Sequence, residues 1–184
     1  MKMEEVLIQI ESTPNPATMM FKVNKTITET SLDCQNSDEA DASPLASKIF
    51  GFPWASGVFI GPNFITVTKQ EWVDWEVLGE PLAGLIKEHI ESDLPIILNL
   101  EKNLESENDT DEVKLIKKIL DQEIRPQVAL DGGDIAFVKY TDNTLFVHMK
   151  GACSGCPSSS ATLKFGIEAR LKESLPNLIE VVAI

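Results

Sequence analysis

Two cysteines three positions apart carry the chemistry open to this chain. Residues 150–160 read Lys-Gly-Ala-Cys-Ser-Gly-Cys-Pro-Ser-Ser-Ser, which puts Cys153 and Cys156, two of three cysteines in 184 residues, at C-x-x-C spacing. Pro157 suits a first helical position, where its missing N–H costs nothing, so Cys156 is expected at the N-cap. Both thiols would then face unpaired backbone N–H groups and the positive end of a helix dipole. That setting lowers a thiol pKa and favours thiolate, the form that binds metal or attacks a disulfide. Gly151 and Gly155 leave the backbone free to fold round the sulfurs.

Three chemistries use such a pair. A thioredoxin-like dithiol cycles to a disulfide, but it needs a βαβ context and usually an aromatic or proline between the cysteines, where this chain has Ser154-Gly155. A structural zinc site and an iron–sulfur cluster each need four ligands. One chain supplies two, so a closed site would draw on a second chain. His89 and His148 are isolated in sequence, and Cys34 lies far from the pair and leaves the set incomplete; Cys34 is read as an incidental thiol.

The flanking patterns show what must position the pair. Leu145, Val147 and Met149 alternate with Phe146 and His148, the period of a half-buried strand over 144–150. Leu163, Ile167, Leu171 and Leu175 recur every four residues, the stripe of a helix over 157–175, with Phe165 off that stripe. Thr110 can cap an earlier helix bearing Val113, Ile116, Leu120 and Ile124, which Pro126 disturbs and Asp131-Gly132-Gly133-Asp134 ends in a turn. With strand 135–140 and a last strand over 178–184, residues 111–184 read as an α-β-β-α-β domain, a three-stranded sheet covered by two helices. His148 is read as a structural strand residue, Asp131 and Asp134 as turn residues.

The first half has its own set of elements. Strands are expected at 6–11 and 18–24, broken apart by Thr13-Pro14-Asn15-Pro16, then a polar loop over 30–43 containing Cys34. A short helix starts at Ser43-Pro44, and strands 58–60 and 64–68 make a hairpin. Helical pattern from about 71 is interrupted near Gly79-Glu80-Pro81 and resumes toward His89. The overall expectation is an α+β protein of two small domains: a mixed α/β domain over 1–92, a linker over 93–110 whose apolar part can dock on that domain, and the domain at 111–184.

Charge narrows the partners. The net charge is −13, and residues 1–110 hold 7 Lys+Arg against 19 Asp+Glu, with 9 against 10 in the remainder. Neither half offers the basic stripe that a phosphate backbone demands, so nucleic acid is not expected as a ligand. No apolar run is long enough to span a bilayer, and no membrane partner is expected. An odd cysteine count is no disulfide framework and points to a reducing compartment: a cytoplasmic chain, or a mitochondrial one already processed. Ser158, Ser159 and Ser160 have no His or Asp near them in sequence, and no constellation for hydrolysis or group transfer is visible; an enzyme is not expected.

The run Asp131-Gly132-Gly133-Asp134, the strand pair, and Gly151 to Ser160 with Leu163-Lys164 resemble the C-terminal domain of NifU-like (Nfu) proteins. Glu11-Ser12-Thr13-Pro14-Asn15-Pro16 and Phe59-Ile60 resemble the Nfu N-terminal domain, so the likeness spans nearly the whole chain. The resemblance implies an iron–sulfur scaffold or carrier that binds a [4Fe–4S] cluster between two subunits through Cys153 and Cys156. It also implies a cluster-dependent homodimer and apo iron–sulfur client proteins as partners. A zinc-bridged dimeric adaptor and a dithiol redox protein are the alternatives.

Overall fold

The computed structural model describes residues 5–98, 109–154 and 157–184; in the helix that opens at Pro157, side chains are described from Ala161 onward. The fold is α+β, and the chain separates into two compact units, Met1–Glu101 and Lys102–Ile184.

The first unit is built on an antiparallel five-stranded sheet of order β1-β2-β5-β4-β3, comprising β1 (Ile8–Ser12), β2 (Thr18–Val23), β3 (Leu32–Cys34), β4 (Ala55–Ile60) and β5 (Phe64–Lys69). Between β1 and β2, Thr13 Oγ1 donates to the Asn15 carbonyl and Asn15 Oδ1 accepts the Ala17 N–H, so the expected break is made by side chains taking over backbone bonds. Helix α1 (Pro44–Phe50) starts as its sequence demands, with Ser43 Oγ accepting the Ala46 N–H at 3.1 Å and Pro44 in the first turn. Phe21, Leu45, Ile49, Ile60, Ile65 and Ile86 are fully buried and make the core.

Two expectations change here. Residues 30–43 are no plain loop. They hold β3 and a 3-10 turn at Glu39–Ala42, and Cys34 pairs with Val58 of β4 and is fully buried. The charged residues around it masked a strand only three residues long. Helix α2 (Trp75–Glu91) runs through Gly79-Glu80-Pro81 without a break. Proline deprives the carbonyl four residues back of its partner. That carbonyl belongs to Val77, which is 68% exposed, so water can take the bond, while Leu78, Leu82, Ala83, Ile86 and Ile90 keep a continuous buried face.

Residues 95–98 lie on this unit. Ile96 and Ile97 pack against its core, the Ser43 hydroxyl donates to the Ile96 carbonyl, and the Leu98 N–H reaches the Ala42 carbonyl at 2.7 Å. Most of the expected linker, residues 99–108, lies outside the described residues.

The second unit has a three-stranded sheet of order β6-β7-β8. Helix α3 (Asp111–Ile119) is capped by Thr110, whose Oγ1 accepts the Val113 N–H. A π-helical turn, Leu120–Ile124, then leads into α4 (Arg125–Leu130). The widened turn falls just before Pro126, whose ring would collide with the Gln122 carbonyl in a regular ladder. Strands β6 (Gly133–Thr141) and β7 (Thr144–Gly151) form a hairpin closed by Asp142 and Asn143 at φ of 50° and 58°, the left-handed pair that a tight hairpin turn requires. Helix α5 (Pro157–Ser174) crosses back, and β8 (Glu180–Ala183) pairs parallel to β7. Ile167 and Leu171 of the expected stripe are buried with Ile116, Leu120, Ile135, Leu145 and Val181, while Phe165 is 68% exposed.

Candidate functional site

The Cys loop is shaped by two glycines facing each other across a strand pair. Gly151, the last residue of β7, stands opposite Gly133, the first of β6, and has φ of 64°, a left-handed conformation that favours glycine. From there the chain folds back: the Ala152 N–H donates to the Gly132 carbonyl at 3.1 Å and the Ser154 N–H to the Gly151 carbonyl at 3.0 Å. Cys153 is thereby laid on Gly133. A Cβ at Gly133 would overlap Cys153 Sγ, and would stand 3.0 Å from the Lys150 carbonyl oxygen and 3.1 Å from Cys153 Cβ. Gly133 is glycine because the cysteine occupies its side-chain space.

Cys153 is therefore not open to solvent at the loop. It is 7% exposed and belongs to the core that holds Ile135 and Met149. The sulfur found an apolar hole that only a glycine twenty residues earlier could leave. Gly155 and Cys156 lie outside the described residues; the helix after them does begin at Pro157, as expected.

A correction concerns Asp134. The sequence predicts a turn residue, yet Asp134 is 7% exposed and held by Arg125 through two parallel bonds, Nε to Oδ1 at 2.8 Å and Nη2 to Oδ2 at 2.9 Å. Asp134 Oδ1 also accepts the Ile135 N–H at 2.8 Å, and Arg125 Nη1 reaches Asp121 at 3.0 Å. The carboxylates push the Arg125 pKa up, Asp134 foremost, so the guanidinium stays charged at any working pH. A buried carboxylate needs such a partner, because unpaired burial of a charge costs several kcal/mol. No spacing rule links an Arg to an Asp nine positions on across a turn, and the pair left no signal in the sequence.

The other candidates lie on other elements. Cys34 is buried in the first unit, where burial foremost, then Asp33 and Glu39, push its thiol up to about 12, so it is a neutral thiol at neutral pH. That is the wrong form for a metal ligand. His89 is buried in the same unit, its Nε2–H donating to the Pro95 carbonyl at 3.0 Å. His148 is in β7 but exposed, not a packed strand residue. Trp54 is buried, Trp75 donates to the Pro16 carbonyl and meets Phe21 edge-on, and Trp72 is exposed. Among the described residues no three His, Cys, Asp or Glu side chains converge on a metal-sized site, and no helix is long and apolar enough to cross a membrane.

Both units match known families. A NifU-like domain covers residues 116–182, and the N-terminal domain described as scaffold protein Nfu/NifU N terminal covers 8–93. The chain is 41% identical to NifU-like protein 5, mitochondrial, of Arabidopsis thaliana, over 90% of this chain and 63% of that protein. It is 37% identical to the human protein named NFU1 iron-sulfur cluster scaffold homolog, mitochondrial, over 94% of this chain and 70% of that protein. It thus spans somewhat under two thirds of the Arabidopsis relative's length. A solution structure of a NifU-like protein from Saccharomyces cerevisiae aligns with 55% of this chain and 91% of its own, at 23% identity and a TM-score of 0.47. Since a Nfu-type domain is matched in each unit, and identity to relatives bearing the name runs through both, the chain belongs to the NifU-like (Nfu) family.

Proposed function

We propose that this protein is an iron–sulfur cluster scaffold and carrier: two copies bind one [4Fe–4S] cluster through Cys153 and Cys156 of each and pass it to apo-proteins. The observation that carries this reading is the C-x-x-C between β7 and α5 of a NifU-like domain, two thiols per chain where a cluster needs four. The human relative's name, an iron–sulfur cluster scaffold, supports it. A ligand set split between chains suits transfer, because separating the copies opens the cluster to an acceptor's thiolates. The role is that of a carrier and not a catalyst. The relatives' names place them in mitochondria, a compartment reducing enough for free thiols, as a cytosol would be. The domains responsible are taken as 1–92 and 111–184, joined by 93–110.

Anaerobic reconstitution with iron and sulfide tests this. The wild-type chain should turn brown and hold one cluster for two chains. Cys153→Ala and Cys156→Ala should each hold none, and Cys34→Ala should match wild type, since its thiol is buried in the other unit. Full iron and sulfide in either loop variant would sink the assignment, and a colourless zinc protein would favour the adaptor.

A further inference from the structure

Cys153 in its seat cannot bridge to another chain: a sulfur 7% exposed and packed on Gly133 has to leave that seat before it can ligate anything shared. The residues that fix the seat therefore bear on the site. Gly133 is held from both sides. On one, Gly132 turns at φ of 77°, with its N–H bonded to the Ala129 carbonyl of α4 and its carbonyl accepting from Ala152 of the Cys loop. On the other stands Asp134, whose side chain returns to Arg125 at the start of α4 through the two-bond fork. The fork closes the stretch 125–134 into a ring, and the floor of the Cys153 seat is part of it.

We propose that Arg125 and Asp134 are positioning residues for the Cys loop: by clamping the Gly132–Gly133 turn they hold Cys153 in its seat and set how readily that thiol is released for ligation. The proposal rests on reading Cys153 as a cluster ligand. It assigns no contact with the cluster to either residue. The ion pair is built for such a task because it is directional. A bidentate guanidinium–carboxylate pair fixes angle as well as distance, which an ammonium cannot. A second fork of the same geometry, Arg170 with Glu123, joins α5 to the π turn and does not touch the 131–134 turn, so it serves as the control.

Site-resolved alkylation tests it on the full-length apo-protein at fixed pH, reading Cys153 by peptide mass spectrometry under brief iodoacetamide treatment. Asp134→Asn keeps the shape but cannot accept from both guanidinium nitrogens; Arg125→Lys keeps the charge but loses the fork. Each should raise the Cys153 rate by about tenfold or more, the scale on which losing a charge-assisted bond shifts a local opening equilibrium. Hydrogen exchange of β7 and α5 amides should stay near wild type, showing the unit still folded, and Glu123→Gln should leave the Cys153 rate unchanged. A wild-type rate in a folded Arg125→Lys chain would overturn the proposal. So would equal acceleration by Glu123→Gln, which would reduce the effect to general loosening. If Asp134→Asn fails to fold, Arg125→Lys decides. Because no cluster is present in this measurement, its failure is separate from failure of the carrier reading, which reconstitution of the wild type decides.

Discussion

At the scale of single residues, the site depends on a glycine that touches the cysteine through space. Gly133 is not in a left-handed conformation; it is glycine because Cys153 Sγ and the Lys150 carbonyl fill the place of a side chain. Gly133→Ala should therefore expel the thiol or prise open the end of the β6–β7 pair, and overpacking of this kind costs about 1–3 kcal/mol. The expected outcome is a lower denaturation midpoint for the second unit, together with faster alkylation of Cys153. Unchanged reactivity would mean that the loop finds the same seat by another route. Cys34 gives the opposite result. Its pKa of about 12 means that the folded protein keeps a proton which the unfolded chain releases from about pH 9 upward. The stability from Cys34 is complete below pH 9 and is lost as pH rises toward 12. Cys34→Ser should flatten that alkaline decline in the first unit. The sequence pointed to the two loop cysteines directly, because C-x-x-C spacing before a helix-starting proline is a local pattern. It said nothing of Gly133 or Arg125, whose meaning comes from partners 20 and 9 positions away.

At the scale of elements, the expectations held wherever one local pattern dominates. The β4–β5 and β6–β7 hairpins, α1 with its Ser43 cap, α3 with Thr110, and the α5 stripe all stand where periodicity and caps put them. The misreadings, β3 and the unbroken α2, come from tertiary burial overriding weak or adverse local signals. The segment 95–98 shows how elements tie together: its carbonyls take hydrogen bonds from Ser43 and His89, and its apolar residues cover the core. His89 is the sensitive point of that contact. Its Nε2 must carry the hydrogen that the Pro95 carbonyl accepts, and its Nδ1 is buried with no hydrogen-bond partner among the described residues. Protonating Nδ1 would bury a charge, and burial foremost, with Lys48 adding to it, holds the His89 pKa below its usual 6.5. The sign follows. Above pH 6.5 neither state is charged at this residue and stability is full. As pH falls from 6.5 toward the depressed folded value, the unfolded chain gains a proton that the folded one resists, and stability drops. All three tryptophans lie in this unit, so their fluorescence follows it alone. Its urea midpoint should fall between pH 7 and pH 5, and His89→Gln should reduce that dependence.

At the scale of the whole molecule, charge and the proposed ligand count together predict how copies assemble. Each chain carries a net −13, and two such chains repel at the short range left by physiological salt, roughly 8 Å. Against that stands a loop offering one buried thiol and one further cysteine, too little apolar surface for a permanent interface. On the proposed carrier reading, four metal–thiolate bonds shared between chains would supply what the protein surface lacks. The apo-protein is accordingly expected to be monomeric, and loading to give a dimer that falls apart when the cluster is removed or oxidised. Among the described residues of α5, Phe165 is the one large apolar side chain exposed, twelve positions along the chain from Cys153 and nine from Cys156. A lone exposed phenylalanine is ordinary on any surface, so only a variant can show whether it takes part. If it lies in the copy-to-copy contact, Phe165→Asp should weaken cluster-dependent association while leaving thermal stability nearly unchanged, because the residue contributes nothing to the core. Light scattering on apo and reconstituted samples measures both states. An apo-protein already fully dimeric, or a loaded monomer, would mean that the second pair of ligands comes from elsewhere and that the count of two thiolates per chain has been misapplied.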